Sequence, residues 1–301
     1  MSSSHCFQNP PKLDSAIHVA GTVQQLGGLS SYVTGSPDSK FALILVSDVF
    51  GKKPISNFLS FNIFYSNHMF NISFKFNPQS RKEEFQDHYN ISHFADTSLI
   101  NITLSCFPII SGYEAPNLRK LADKVAASGF LVVVPDLLYG DYADLFNPQF
   151  DRDSWRKAHE KDKACEDTQP LIADLKSKGV KSIGAAGFCW GGGVVTKLAI
   201  SSDIQAAVIL HPGPISDDEI NEVKIPIAIL GAEIDHLFPP ERLKQVEEKL
   251  SSKSEIESFV KLFPGVTHGW TVRYNDDDEA TVKSAKEAHQ DMLNWFIKHV
   301  K

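Results

Sequence analysis

The apolar positions of this chain fall into short runs separated by longer amphipathic stretches. Phe41–Ser47 and Leu131–Pro135 are almost continuous in apolar residues, which is typical of strands buried on both faces of a parallel sheet. The alternating segment 18–33, with two glycines at its centre, predicts a β-hairpin. Further strands are predicted at 182–186, 205–210, 226–231 and 258–263.

Amphipathic helices are predicted between these strands. In 116–127 the apolar residues Leu118, Leu121 and Val125 share one face, and Gly129 follows as a stop signal. The segment 136–155 is interpreted as an irregular, aromatic-rich connection. Other helices are predicted at 168–178, after Gly191, at 240–250 and at 278–300. Strands alternating with helices predict an α/β fold with a mostly parallel, doubly wound sheet and helices on both faces.

Residues 52–112 interrupt this pattern. The segment is rich in Phe and Asn, contains no Val, and keeps neither a strand nor a helix period. Codons for Gly51-Lys52 can contain a splice donor and codons for Ser111-Gly112 a splice acceptor. We therefore predict a poorly ordered insertion derived from a retained intron. The alternative is an evolved lid, because the insertion follows the carboxyl end of a strand.

Composition narrows the class of protein. With 301 residues, 42% of them hydrophobic, the chain can form one α/β domain over 1–301. Its formal charge of −7 argues against nucleic acid and membrane surfaces as partners. The cysteines show neither paired nor metal-type spacing, and we find no secretory signal or membrane span. We expect a cytoplasmic monomer.

The segment Gly187–Gly191 has the pattern G-x-C-x-G between a predicted strand and a predicted helix. This is a nucleophile elbow with Cys189 in the place where Ser is usual. A helix N-terminus favours the thiolate form of a cysteine there. A glycine-rich turn with an inert buried cysteine would have the same pattern.

Three more polar residues are predicted at carboxyl ends of strands, where ligands bind in such sheets. They are Asp48, Asp235 and His268. Nucleophile, acid and base in the order Cys189, Asp235, His268 is the chain order of α/β-hydrolase triads. Taken singly, Asp235 could be a helix N-cap and His268 a turn residue. A metal site formed by His211, Asp235, His236 and His268 is disfavoured, because no two of them share a helix face at ligand spacing.

Several motifs together resemble the dienelactone hydrolase family, in its plant-type cytosolic branch. The resemblance covers nearly everything except 52–112. It rests on the segments Val46–Gly51, Ala115–Val125, Val134–Asp136, Gly187–Gly191, Gly231–Asp235 and Thr267–Trp270.

The resemblance implies an α/β-hydrolase fold, no cofactor, no metal, and specific site roles. Cys189, Asp235 and His268 correspond to the family's triad. Asp48 takes the place of its auxiliary acid, a Glu in the family. The amides of Val49 and Trp190 correspond to the oxyanion donors. Substrate binding is assigned to Arg273, one position beyond the family's second carboxylate-binding Arg, and to Tyr139.

The implied function is hydrolysis of small lactones or esters through a thioester on the cysteine. One alternative is a catalytically weak ligand-binding protein of the same fold. Another is an endo-1,3;1,4-β-glucanase, the label that some plant relatives carry. Glycoside hydrolysis normally needs two facing carboxylates, and Asp48 and Asp235 are the pair available.

Overall fold

The computed structural model describes residues 20–49, 58–65, 68–75, 112–144 and 149–301. The chain divides into two units, one of residues 1–52 with 110–301 and one of residues 53–109. The larger unit carries every candidate site residue. No helix in the described ranges is both long and apolar enough to cross a bilayer.

Ten strands are described. They are β1 (Thr22–Leu26), β2 (Leu29–Thr34), β3 (Phe41–Val46), β4 (Phe58–Tyr65), β5 (His68–Lys75), β6 (Leu131–Pro135), β7 (Ser182–Phe188), β8 (Ala206–Leu210), β9 (Ile227–Ile234) and β10 (Ser258–Thr267). Eight of them form one sheet in the order β1-β2-β6-β3-β7-β8-β9-β10. β2 pairs antiparallel with both β1 and β6. Neighbouring strands in the part of the sheet with the order β6-β3-β7-β8-β9-β10 are parallel. The predicted N-terminal hairpin is therefore present as β1 and β2.

Seven α-helices are described in the larger unit. They are α1 (Pro116–Ala126), α2 (Arg152–Ala158), α3 (Lys161–Ser177), α4 (Trp190–Ser201), α5 (Asp217–Glu222), α6 (Pro240–Ser251) and α7 (Glu279–His299). Buried side chains form one large apolar cluster on each face of the sheet. The predicted fold class, a mostly parallel sheet covered on both faces, is confirmed.

Two helices were not predicted, and a third begins earlier than predicted. α2 lies in the segment interpreted as irregular, and Asp151 caps it by accepting the amides of Asp153 and Ser154. α5 has a capping box. Thr168 and Pro170 resemble a helix start, yet α3 begins at Lys161 and continues through both residues. Pro170 therefore lies inside the helix, next to the buried residue Leu171.

In the smaller unit, β4 and β5 pair antiparallel, with Tyr65 opposite His68. The sequence analysis assigned no strand there. The remaining residues of the predicted insertion lie outside the described residues.

The order of the parallel strands places a topological switch point in the middle of the sheet. The chain goes from β3 to β6 on one side, and the next strand, β7, lies on the other side of β3. Ligands of open α/β sheets bind at the carboxyl edge of such a point. Asp48 follows β3 and Cys189 follows β7, so both lie at this edge.

Candidate active site

Cys189 lies in a sharp turn between β7 and α4, with φ 56° and ψ −113°. A positive φ is costly for a residue with a side chain and is found mainly at functional sites. The flanking glycines are required by close packing. A Cβ at Gly187 would lie 2.2 Å from the carbonyl oxygen of Gly191, and one at Gly191 would lie 2.2 Å from that of Val46. The predicted elbow is therefore present, and it packs on the end of β3.

Asp235 and His268 form a buried pair at the ends of β9 and β10. His268 Nδ1 lies 2.7 Å from Asp235 Oδ2, so the imidazole donates from Nδ1 to the carboxylate. The other carboxylate oxygen accepts the amides of Leu237 at 2.8 Å and Phe238 at 3.2 Å. Asp235 therefore closes a turn rather than capping α6, whose N-cap is Pro239.

The second nitrogen of His268 is available for proton transfer. Nε2 is buried and has no hydrogen-bond partner within the described ranges. Burial lowers the pKa of His268, with a smaller contribution from the charge of Arg273, while Asp235 opposes the shift. A neutral imidazole whose Nδ1 proton is held by a carboxylate has its Nε2 lone pair ready to accept a proton.

Backbone and ring contacts connect the elbow to His268. The amide of Cys189 donates to the carbonyl of Leu210 at 3.2 Å, at the end of β8. The next residue, His211, packs its ring against that of His268, with the centroids 5.1 Å apart. The strand that precedes Cys189 is therefore connected to His268 through the end of β8.

Asp48 is buried and lies against Arg273. The distance from Arg273 Nε to Asp48 Oδ2 is 3.4 Å, and both side chains are almost fully buried. Arg273 also donates from Nη2 to the carbonyl of His268 at 3.2 Å. Two residues that were predicted from the sequence, Asp48 and Arg273, therefore lie together beside His268. Arg273 is buried and its contacts are within the protein.

The residues that carry the predicted oxyanion amides lie on a common cluster. Val49 and Trp190 both pack against the apolar cluster of Leu138, Tyr142, Ala143 and Trp155. Trp190 is the first residue of α4, a position whose amide has no acceptor within the helix. The carbonyl of Val49 accepts the amide of Ala143 at 3.0 Å, which fixes the end of β3.

Tyr139 has a different environment. Its side chain is exposed, and its ring centroid lies 6.0 Å from the Nζ of Lys163 on α3. Partial burial, together with a hydrogen bond to Asp167, raises the pKa of Tyr139 to about 12. In the part of the chain that the structure describes, Tyr139 therefore interacts with α3.

From the sequence, His211 is only a possible metal ligand. In the described part of the chain no group of three or more His, Cys, Asp or Glu side chains could hold a metal. His211 instead packs against the ring of His268. Its place at a strand end next to β7 is the signal that could have identified it.

Sequence comparison relates this chain to known proteins. Residues 106–300 match the sequence profile of the dienelactone hydrolase family. A Zea mays protein named endo-1,3;1,4-beta-D-glucanase is 33% identical over 260 residues, which cover 84% of this chain and 64% of that protein. A Xenopus tropicalis carboxymethylenebutenolidase homolog is 33% identical over 198 residues, which cover 64% of this chain and 79% of that protein.

Solved structures show the same fold. A dienelactone hydrolase-like promiscuous phosphotriesterase from metagenomic libraries superposes with a TM-score of 0.56 at 15% identity, covering 94% of this chain and all of that one (100%). At that identity the likeness concerns the fold alone. With a family profile matched over most of its length, this chain belongs to the dienelactone hydrolase family, within the α/β-hydrolase fold.

Proposed function

We propose that this protein hydrolyses small esters or lactones, with Cys189 as nucleophile, His268 as base and Asp235 as its orienting acid. The observation that carries the proposal is the buried pair of Asp235 and His268, whose hydrogen bond is 2.7 Å long. In the described part of the chain, Nε2 of His268 has no hydrogen-bond partner, and His268 lies at the same sheet edge as the strained turn at Cys189. Such a pair activates a nucleophile by removing its proton.

In the acylation step, His268 Nε2 takes the thiol proton of Cys189 and the sulfur attacks the substrate carbonyl carbon. The amides of Val49 and Trp190 donate to the oxyanion, an effect typically worth about 100- to 1000-fold for each donor. When the tetrahedral intermediate collapses, the carbon–oxygen bond breaks and the leaving alkoxide takes the proton from His268. Asp235 stabilises the imidazolium that forms in between.

Deacylation repeats the same proton transfers with water. His268 removes a proton from water, the hydroxide oxygen adds to the thioester carbonyl, and the carbon–sulfur bond breaks. The acid product leaves, and the thiolate of Cys189 regains a proton from His268. Thioesters of this kind form most readily from activated esters and enol lactones, because a thiolate is itself a good leaving group.

Around this triad, Asp48 is proposed as the auxiliary acid and Arg273 and Tyr139 as substrate-binding residues. Because Asp48 and Arg273 form an ion pair, we expect a change at either residue to affect the role of the other. We also propose a cytoplasmic monomer, which size-exclusion chromatography and cell fractionation would test.

A panel of lactones and short-chain aryl esters tests the proposal. We expect turnover that Cys189→Ala abolishes in a folded protein. Equal turnover by the wild type and Cys189→Ala would refute the cysteine mechanism. Binding of panel compounds without turnover would instead favour a ligand-binding protein.

A glucanase is the second candidate, because the name of the maize relative favours it. The described carboxylates argue against it. Asp235 is bound to His268 and two amides, and Asp48 to Arg273, so both are buried in internal contacts. An assay on mixed-linkage β-glucan distinguishes the two candidates. Activity on glucan without activity on the esters would refute the esterase proposal.

A further inference from the structure

His211 is held in a strained conformation at the end of β8. Its φ is 39°, and its side chain is fully buried. Cys189, which follows the neighbouring strand β7, also has a positive φ. A positive φ on a bulky residue persists only when the surrounding structure fixes it. The contacts that hold His211 in this conformation therefore indicate its role.

Two sets of contacts hold the His211 ring. Nε2 lies 2.8 Å from the hydroxyl oxygen of Thr271, in the turn that follows His268. The ring packs edge-to-face against His268, with centroids 5.1 Å apart and planes at 67°, and against Trp270 at 5.4 Å and 66°. His211 therefore contacts both His268 and Thr271, which lies in the turn that follows His268.

The His268 imidazole needs a second support. Its hydrogen bond to Asp235 fixes one nitrogen but leaves the ring free to tilt about that bond. The edge-to-face contact with His211 restricts that tilt. Burial lowers the pKa of His211 well below its ordinary value, so the ring stays neutral and does not repel the imidazolium of His268.

We propose that His211, fixed by Thr271, is a positioning residue that keeps the His268 imidazole aligned between Asp235 and Cys189. This inference rests on the proposed function for its effect on turnover. Its effect on the position of His268 is independent of any substrate.

A matched control, a histidine on α7, is bonded to the same turn. His289 is also buried, and its Nε2 donates to the carbonyl of Thr271 at 2.8 Å. Its ring, however, lies against Tyr274, 6.4 Å between centroids. Both histidines therefore form a hydrogen bond between Nε2 and Thr271. His211 differs in that its ring also packs against the ring of His268.

The experiment compares His211→Phe, Thr271→Val and His289→Phe in the full chain. Each variant loses a buried hydrogen bond, so each should show a lower melting temperature. Three measurements follow below that temperature: the rate at which iodoacetamide alkylates Cys189, the downfield proton signal of the His268–Asp235 hydrogen bond, and kcat on an active ester.

We expect His211→Phe and Thr271→Val to weaken or broaden the downfield signal and to slow alkylation. They should lower kcat by about ten- to a hundredfold, the scale of a misplaced catalytic group, with little change in KM. The double variant should lose no more than the larger single loss, because both changes remove the same hydrogen bond. His289→Phe should keep the signal and the alkylation rate.

Wild-type signal and alkylation in folded His211→Phe would overturn the inference, and so would equal losses in His289→Phe. If no ester is turned over by the wild type, the proposed function fails. The proton signal and the alkylation rate still decide the role of His211 in that case.

Discussion

Arg273 and Asp48 form an ion pair that joins the two ends of the candidate site, with Nε and Oδ2 3.4 Å apart. Asp48 follows β3 and Arg273 lies in the turn after β10, so strands distant in the sheet are connected at its carboxyl edge. Arg273 also donates to the carbonyl of His268. The position of the base therefore depends on a charge that lies beside the nucleophile elbow.

Breaking this pair should destabilise the protein strongly. Asp48→Ala or Arg273→Ala removes one member of a buried ion pair, which costs about 3–5 kcal/mol of unfolding free energy. The double variant should lose less than the sum of the two. Urea unfolding followed by tryptophan fluorescence measures this. The exposed pair Lys120–Asp276 is the control, expected to contribute at most about 1 kcal/mol.

Removing a triad residue should abolish hydrolysis while the fold is retained. We expect Cys189→Ala and His268→Ala to lower kcat/KM on activated esters by about 10⁴-fold or more. Cys189→Ser should retain less activity than the wild type, because a serine hydroxyl is far less ionised than a thiol near neutral pH. Cys165→Ala is the control and should keep full activity. Near-UV circular dichroism confirms folding.

The thiols should differ in reactivity. Burial, together with the charges of Asp203 and Asp162, raises the pKa of Cys165 to about 11, so this thiol is almost entirely protonated near neutral pH. Cys189 lies at the N-terminus of α4, at the same edge of the sheet as the Asp235–His268 pair. Limiting iodoacetamide followed by peptide mapping should label Cys189 first. Labelling of Cys165 ahead of Cys189 would show that Cys189 is not an activated thiol.

Stability should fall in mild acid, partly because of His289. Burial lowers the pKa of His289 from 6.5 to about 4. Between these values the unfolded chain binds the proton and the folded chain does not, so stability is lost as pH falls through this window. The slope is at most about 1.4 kcal/mol per pH unit for this one group.

His289→Gln isolates this effect, because the amide can still donate to Thr271 but does not titrate. Its unfolding free energy should depend less on pH than that of the wild type between pH 6.5 and 4. Parallel curves for the two proteins would show that His289 is not the group responsible.

The sequence was sufficient for the sheet and for placing the candidate triad residues at strand ends, because both depend on local signals. Buried runs such as β6 are continuous in apolar residues, and the elbow needs glycines at fixed positions. The order of strands then brings their carboxyl ends to one edge. The elbow pattern, the strand-end positions, the chain order and the family resemblance together proposed Cys189, Asp235 and His268 as a triad.

The residues that support the triad could not be predicted in this way. His211 acquires its role from a backbone angle and a ring contact with a residue far along the chain. The start of α3 was misplaced because Thr168 resembles a cap, whereas its hydroxyl donates to the carbonyl of Ala164 inside the helix. Such features depend on tertiary packing, which overrides local preference.

Val49 and Gly112, the described residues nearest to the two borders of the predicted insertion, contact neighbouring residues of the larger unit. The carbonyl of Val49 accepts the amide of Ala143 at 3.0 Å. A Cβ on Gly112 would lie 2.4 Å from the ring of Tyr142, so Gly112 packs directly on the adjacent residue. A short connection from Val49 to the start of α1 is therefore compatible with the positions of both ends.

Deleting residues 52–112 should leave the fold of the larger unit intact. Gly51 would then precede Tyr113 and occupy the position of Gly112, where φ is 64° and the space beside Tyr142 excludes a side chain. We expect the deleted form to be more soluble and at least as active on esters, as a retained intron predicts. Gly51→Ala in that form should reduce its stability. Lower solubility and activity after deletion would identify the segment as a lid, and genomic DNA without splice signals at both boundaries would refute the intron origin.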